Sequence, residues 1–213
     1  MSAWKEKIKE FFEWGYWKIQ HLREGDLTHH HYAYFYTQHF GFTLEDFKNK
    51  SILDIGCGPR GSLEWADNAE RRTGLDPLAC QYMQMQAQKH KMDYVEGYAE
   101  ALPFEDESFD FVCSFNSIDH VRSMSKSCSE IKRVTKKGGY ILIITDIHQF
   151  PTLTEPQKVS WSFQQEYFQE MQCLSLRKYR KTKLMGIYES IRRGDLLQNE
   201  TPSLGVLSIK LKK

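Results

Sequence analysis

Ser51-Ile52-Leu53-Asp54-Ile55-Gly56-Cys57-Gly58-Pro59-Arg60-Gly61 is the stretch whose reading decides the fold. Residues 51–55 form a short apolar run with the length and composition of a buried strand. The run passes through an acidic residue into a glycine-rich turn, and a helix is expected to open at Ser62 and continue through Leu63, Trp65 and Ala66. Glycine has no Cβ and tolerates positive φ, so such a turn lets a ligand come close to the backbone. The free N–H groups at the start of the following helix would then meet electron-rich ligand atoms. Gly56, Gly58 and Gly61 spell GxGxxG, the dinucleotide pattern, which is weak alone. Asp54 argues against that ligand, because its carboxylate repels a pyrophosphate and attracts a cation. Pro59 also stiffens the turn where a dinucleotide turn continues freely.

Working outward, alternating apolar patterns and turn signals give six more strands near Arg71–Leu75, Met92–Glu96, Ser108–Phe115, Tyr140–Thr145, Leu174–Tyr179 and Gly205–Leu211. Helical spacing is read at 3–23, Thr28–Phe40, Leu78–His90, Lys126–Val134, Gln157–Met171 and Gly186–Ile191. Strands alternating with helices indicate a parallel sheet with covered faces, whose ligands sit beyond the carboxyl ends of the strands. That rule places Asn116, Asp119 and His120 after the fourth strand, and Asp146 and His148 after the fifth, at the rim of a site. Asp146 and His148 would share a side if the strand continues. Asp76 follows the glycine turn by about 20 residues, the spacing at which a carboxylate reaches a ribose diol; capping of the next helix is the plainer alternative for it.

The motifs together resemble the class I S-adenosylmethionine-dependent methyltransferases. LDIGCGPRG looks like their first motif, in which the acidic residue and glycines hold the amino-acid end of the cofactor. By resemblance, Asp54, Gly56 and Gly58 take that role here and Asp76 and Pro77 the ribose, while Asn116 stands beside the cofactor by topology alone. Gly97-Tyr98-Ala99-Glu100-Ala101-Leu102-Pro103-Phe104 resembles the family's GDAExLPF segment, which puts Ala99 and Glu100 near the adenine. Tyr98 departs from the pattern, where the family commonly has aspartate. His120 matches the histidine of the L-x-H-V ending, and Glu130, Ile131, Arg133, Val134, Gly138 and Gly139 match a scaffold pattern. The resemblance covers roughly Ser51 to Thr145. It implies a Rossmann-like, doubly wound α/β fold with a seven-stranded, mostly parallel sheet and an antiparallel last strand. It also implies S-adenosylmethionine as cofactor and S-adenosylhomocysteine as product.

The N-terminal 45 residues read as an aromatic helical cap on a core of residues 46–213, in one domain. Trp4, Ile8, Phe11, Phe12, Ile19 and Leu22 recur at helical spacing, so the first helix is expected to pack its apolar face on the core. A substrate lid and a membrane-surface helix are the alternatives. Glu6, Glu10 and Glu13 weigh against an anionic surface. In the second helix His31, Tyr32 and Tyr36 are candidates to line the substrate pocket, with plain aromatic packing as the alternative.

The formal net charge is +1, which gives no sign of a general nucleic-acid binder, and no aromatic–proline tetrad follows the fourth strand. No run is apolar and long enough to span a membrane, and the charged N-terminus lacks a signal core, so a cytoplasmic location is expected. The five cysteines form no CxxC pair, which indicates neither a disulfide framework nor a zinc site, and no metal is expected. The function expected is methyl transfer to an O, N or S atom of a small molecule, with His148, His120 and Asp146, in that order, as candidate bases. A homodimer is compatible with the chain. The reading from another class is a catalytically silent methyltransferase-fold binding or partner subunit.

Overall fold

The computed structural model describes residues 3–27, 32–148, 150–152, 154–182 and 184–213. Seven strands form one sheet in the order β3-β2-β1-β4-β5-β7-β6. They are β1 (Ser51–Ile55), β2 (Arg71–Asp76), β3 (Asp93–Glu96), β4 (Phe109–Phe115), β5 (Thr135–Ile147), β6 (Gln172–Arg180) and β7 (Gly205–Lys212). β1 pairs in parallel with β2 and β4, and β7 runs antiparallel to both β5 and β6. This is the doubly wound, Rossmann-like sheet expected from the sequence.

Successive side chains leave a strand on opposite faces, so the central strands feed two cores. Leu53, Val112, Ile141, Ile143, Leu207 and Ile209 face one, where they meet Cys128 and Ile131 of α4 (Met124–Val134). Ile52, Phe111, Cys113, Leu142 and Ile144 face the other, beneath Phe35 and Tyr36 of α2 (Tyr32–Tyr36) and Ile187 and Ile191 of α6 (Ile187–Arg193). The second core is aromatic: Phe47 lies 4.3 Å from Phe111 between ring centres, and Tyr36 lies 4.4 Å from Phe115.

The helices expected at 3–23, 126–134 and 186–191 form at full length as α1 (Ala3–Glu24), α4 and α6, while the others are shorter than their patterns promise. No helix follows Gly61: residues 62–65 make a turn, because β2 begins at Arg71 and the crossover is too short to complete a helix and return. The expected helix over 78–90 divides into α3 (Ala79–Met83) and a 3-10 turn, Ala87–Lys89. Between them the buried Gln86 amide bonds both the N–H and the carbonyl of Leu27, at 2.7 and 3.0 Å. The expected helix over 157–171 reduces to α5 (Phe163–Tyr167). Within the expected helix over 28–40 the described residues form α2 and a 3-10 turn, Gln38–Phe40, which Gly41 ends at φ +72°.

The N-terminal helix α1 packs on the core through Trp14 and Trp17, against Leu78, Tyr82 and Ala87, but turns most of its expected apolar stripe outward. Trp4, Phe11, Phe12, Ile19 and Leu22 are exposed, while Glu6 and Lys9 are buried. The charged face turns inward because each of its groups finds a partner there. Glu6 pairs with Arg122 at 2.7 Å, the Lys9 ammonium donates to the His120 carbonyl at 2.5 Å, and Glu13 meets the His120 ring at 2.9 Å.

Candidate functional site

A cavity of about 680 Å³ opens at the carboxyl ends of β1, β2 and β4, roofed by α1. That volume is in the range of small-molecule and cofactor sites. Its floor is the glycine turn. Gly56 sits at φ +73°, and a Cβ there would come within 2.3 Å of the Ser117 Cβ, so only glycine lets β1 pass under the loop after β4. Gly58, at φ +59°, faces the Trp17 indole of α1, which a Cβ would approach to 3.3 Å.

Asp54, 3% exposed, is the charge at the centre of the floor. The Tyr36 hydroxyl donates to its Oδ2 at 2.8 Å and the Ser62 hydroxyl at 2.5 Å. Burial lifts its carboxyl to about 7, against those two hydrogen bonds and with help from the nearby Asp76 charge. No basic group among the described residues acts on it. Asp76 ends β2 on the same cavity; burial lifts it to about 6, while the N–H groups of Leu78 and Gly58 donate to it at 2.9 and 3.1 Å. One oxygen thus caps the next turn while the other anchors the glycine loop. Two buried carboxylates beside a backbone cradle suit a ligand that carries ammonium and hydroxyl donors. The residues present therefore fit the amino-acid and ribose parts of S-adenosylmethionine.

Pro77, Ala99, Glu100 and Asn116 line the same cavity. Ala99 is buried and Asn116 takes a left-handed φ of +55°. The Glu100 carboxylate turns aside to accept from the N–H groups of Arg122 and Ser123, at 2.5 and 3.0 Å, at the start of α4. Tyr98 reaches up to α1, its hydroxyl donating to Glu10 at 2.7 Å. Tyr32 and Tyr36 line the cavity from α2, Tyr36 through Asp54, whereas His31 lies outside the described residues.

The three candidate bases separate. His120 lines the cavity. Burial lowers its ring and the Glu13 bond and Asp119 charge raise it, with a net rise. His148 and Asp146 stand behind the cavity wall. Asp146 pairs with Lys181. His148 Nδ1 bonds the Phe150 carbonyl at 2.9 Å, and its Nε2 lies 3.9 Å from Asp119 Oδ2. Asp119 is fully buried between the two imidazoles, with Oδ1 3.9 Å from His120 Nε2. Glu155 completes this corner on the cavity side. Ser62, Ser117 and the inward charges of α1 were not singled out from sequence. The i, i+3, i+7 spacing of Glu6, Lys9 and Glu13 was the signal available for the latter.

The methyltransferase domain family matches residues 53–143. The chain is 33% identical over 114 residues to malonyl-[acyl-carrier protein] O-methyltransferase of Erwinia billingiae, and 29% identical over 128 residues to the chloroplastic tocopherol O-methyltransferase of Arabidopsis thaliana. Those alignments span 51% and 55% of this chain but only 45% and 36% of the two relatives. The YcgJ protein of Bacillus subtilis shares the fold, with a TM-score of 0.60 at 18% identity over 83% of this chain and 98% of that one. Family match, sheet order and glycine turn agree on one part of the chain: residues 53–143 match the methyltransferase domain family, set in a sheet of the class I, Rossmann-like kind.

Proposed function

We propose that this protein transfers a methyl group from S-adenosylmethionine to a nucleophilic oxygen, nitrogen or sulfur atom of a small molecule. The observation that carries this reading is Asp54, a buried carboxylate on which no cation among the described residues acts, at the glycine turn of a cavity that also holds Asp76 and Ala99. Asp54 would meet the cofactor's ammonium, Asp76 its ribose, and the Ala99 backbone its adenine. The cofactor supplies a methyl group already activated by the positive sulfur. What the chain adds is alignment and exclusion of water, for which α1 makes the roof. His120, on the cavity wall and oriented by Glu13, is the group placed to take a proton from an acceptor. Asp146 and His148 stand behind it, with His148 Nε2 3.9 Å from Asp119.

The printed names of the two relatives support oxygen as the accepting atom, since both are O-methyltransferases. Production of S-adenosylhomocysteine against a panel of hydroxyl, carboxyl, amine and thiol acceptors tests the reading. Turnover with one class, abolished in Asp54→Ala, is the expected result. Tight cofactor binding with no turnover on any class would favour the silent-subunit alternative.

A further inference from the structure

The corner formed by Asp119, His120, Glu155 and His148 is built like a ligand set. Asp119 has no exposed surface, and neither of its carboxylate oxygens has a hydrogen-bond partner among the described residues. A buried carboxylate without donors is costly, and proteins place it against a cation. The two imidazoles beside it stand at 3.9 Å, beyond hydrogen-bond distance. His148 Nδ1 faces the Phe150 carbonyl at 2.9 Å, and a carbonyl can only accept, so that nitrogen carries the proton. The Nε2 lone pair is then left free, and this nitrogen is buried and unpartnered 3.9 Å from Asp119 Oδ2. His120 repeats the arrangement: Nδ1 is bonded to Glu13 at 2.9 Å, which turns Nε2 toward Asp119 Oδ1 at 3.9 Å. Imidazoles fixed through one nitrogen by a carbonyl or carboxylate, with the other nitrogen free, are the arrangement found around metal ions. Glu155 brings a second carboxylate, and ligand atoms of Asp119, His120 and Glu155 all lie within 4.8 Å of one another.

We propose that Asp119, His120 and Glu155 bind a divalent first-row transition ion, with His148 holding or joining the free oxygen of Asp119. The mixed imidazole and carboxylate donors favour Mn²⁺ or Zn²⁺ over Ca²⁺, which takes oxygen ligands alone. The sequence hides the site because its members stand at 119–120, 148 and 155, at no metal-motif spacing. Glu155 and His120 line the cavity, so the ion would present an open position to it. There it would hold an oxygen-bearing acceptor such as a hydroxyl or carboxylate. With the ion bound, His120 Nε2 is a ligand rather than the base, and the ion's charge takes over the activation of the acceptor. This use of the ion rests on the methyl-transfer reading, whereas ion binding is measurable without cofactor or turnover.

The test is calorimetric titration of the full chain with MnCl₂, ZnCl₂ and CaCl₂, beside a separate titration with S-adenosylhomocysteine. One Mn²⁺ or Zn²⁺ per chain is expected, with Ca²⁺ at least tenfold weaker. Asp119→Asn and Glu155→Gln should each weaken the transition ion at least tenfold while leaving S-adenosylhomocysteine affinity within about twofold. The metal-free melting temperature also reads the site. Removing an unpaired buried charge should leave Asp119→Asn as stable as the parent or more so, whereas a purely structural Asp119 would make it less stable. No ion bound by the parent, or binding unchanged in both variants, would overturn the proposal. Loss of S-adenosylhomocysteine binding in the parent would instead count against the cofactor reading alone.

Discussion

The pH dependence of cofactor binding follows from Asp54. Its carboxyl is lifted to about 7 by burial, so over the acid side of neutrality most molecules carry it protonated and neutral. An ammonium ligand selects the ionised form. From pH 5.5 to 7.0 the ionised fraction of such a group rises from about 3% to about 50%, a gain of roughly fifteenfold in affinity, or ~1.6 kcal/mol. Asp76, lifted to about 6, adds about fourfold over the same range by the same arithmetic. Asp54→Asn keeps an oxygen for the Tyr36 and Ser62 hydroxyls but cannot ionise. The assay is calorimetry with S-adenosylhomocysteine at half-unit pH steps, in two buffers of different ionisation enthalpy. The parent should release about 1.7 protons on binding at pH 5.5, roughly one from Asp54 and three quarters from Asp76, and about 0.6 at pH 7. The variant should bind more weakly and retain only the shallow Asp76 slope. Equal slopes in parent and variant would refute the assignment of Asp54 to the ammonium. The same shift acts on folding. The native carboxyl keeps a proton that the unfolded chain has lost above its ordinary range, so the ligand-free protein loses stability as pH rises from about 4 to 7.

Gly56→Ala should destabilise by about 2–4 kcal/mol through its left-handed backbone and the overlap with Ser117; Ser117→Gly should recover part of that in a double-mutant melting cycle. Asp110→Asn should cost about 1–2 kcal/mol at neutral pH, because Asp110 accepts from Lys136 and the Ser51 N–H. Those bonds hold its carboxyl below its usual range against burial. Its stability is therefore present above that range and lost as pH falls through it, so the gap between parent and variant should close in acid denaturation. Trp17 lies over Gly58. S-adenosylhomocysteine should change the tryptophan emission, and Trp17→Phe should remove most of that change.

The sheet was legible because each strand carries its own pattern: the apolar runs at Ile52-Leu53 and Ile141–Ile144 could only be central strands in a covered sheet. The glycine turn and Asp54 were legible for a similar reason, since backbone conformation and charge are properties of single residues. The helices were overestimated where length was decided by something remote. Gln86 bonds Leu27 across the chain, and no local pattern announces that. The outward turn of α1's apolar stripe was hidden in the same way. The stripe is real, but its orientation was settled by Arg122 and His120, far along the chain. The corner around Asp119 joins residues from the ends of two strands and a later loop, so proximity alone reveals it.

The roof over the cavity is fastened mainly by charge. Most covers of a binding cleft close by withdrawing oily surface from water, so opening them carries a large positive heat-capacity change. The outward residues Phe11, Ile19 and Leu22 of α1 already stand in water when the cavity is closed. Lifting α1 would wet Glu6, Lys9 and Glu13, together with the Trp17 edge, and polar exposure lowers heat capacity. Opening the roof would therefore carry a smaller heat-capacity change than opening an apolar cover, and because its polar contacts are short and partly buried, salt would screen them only weakly.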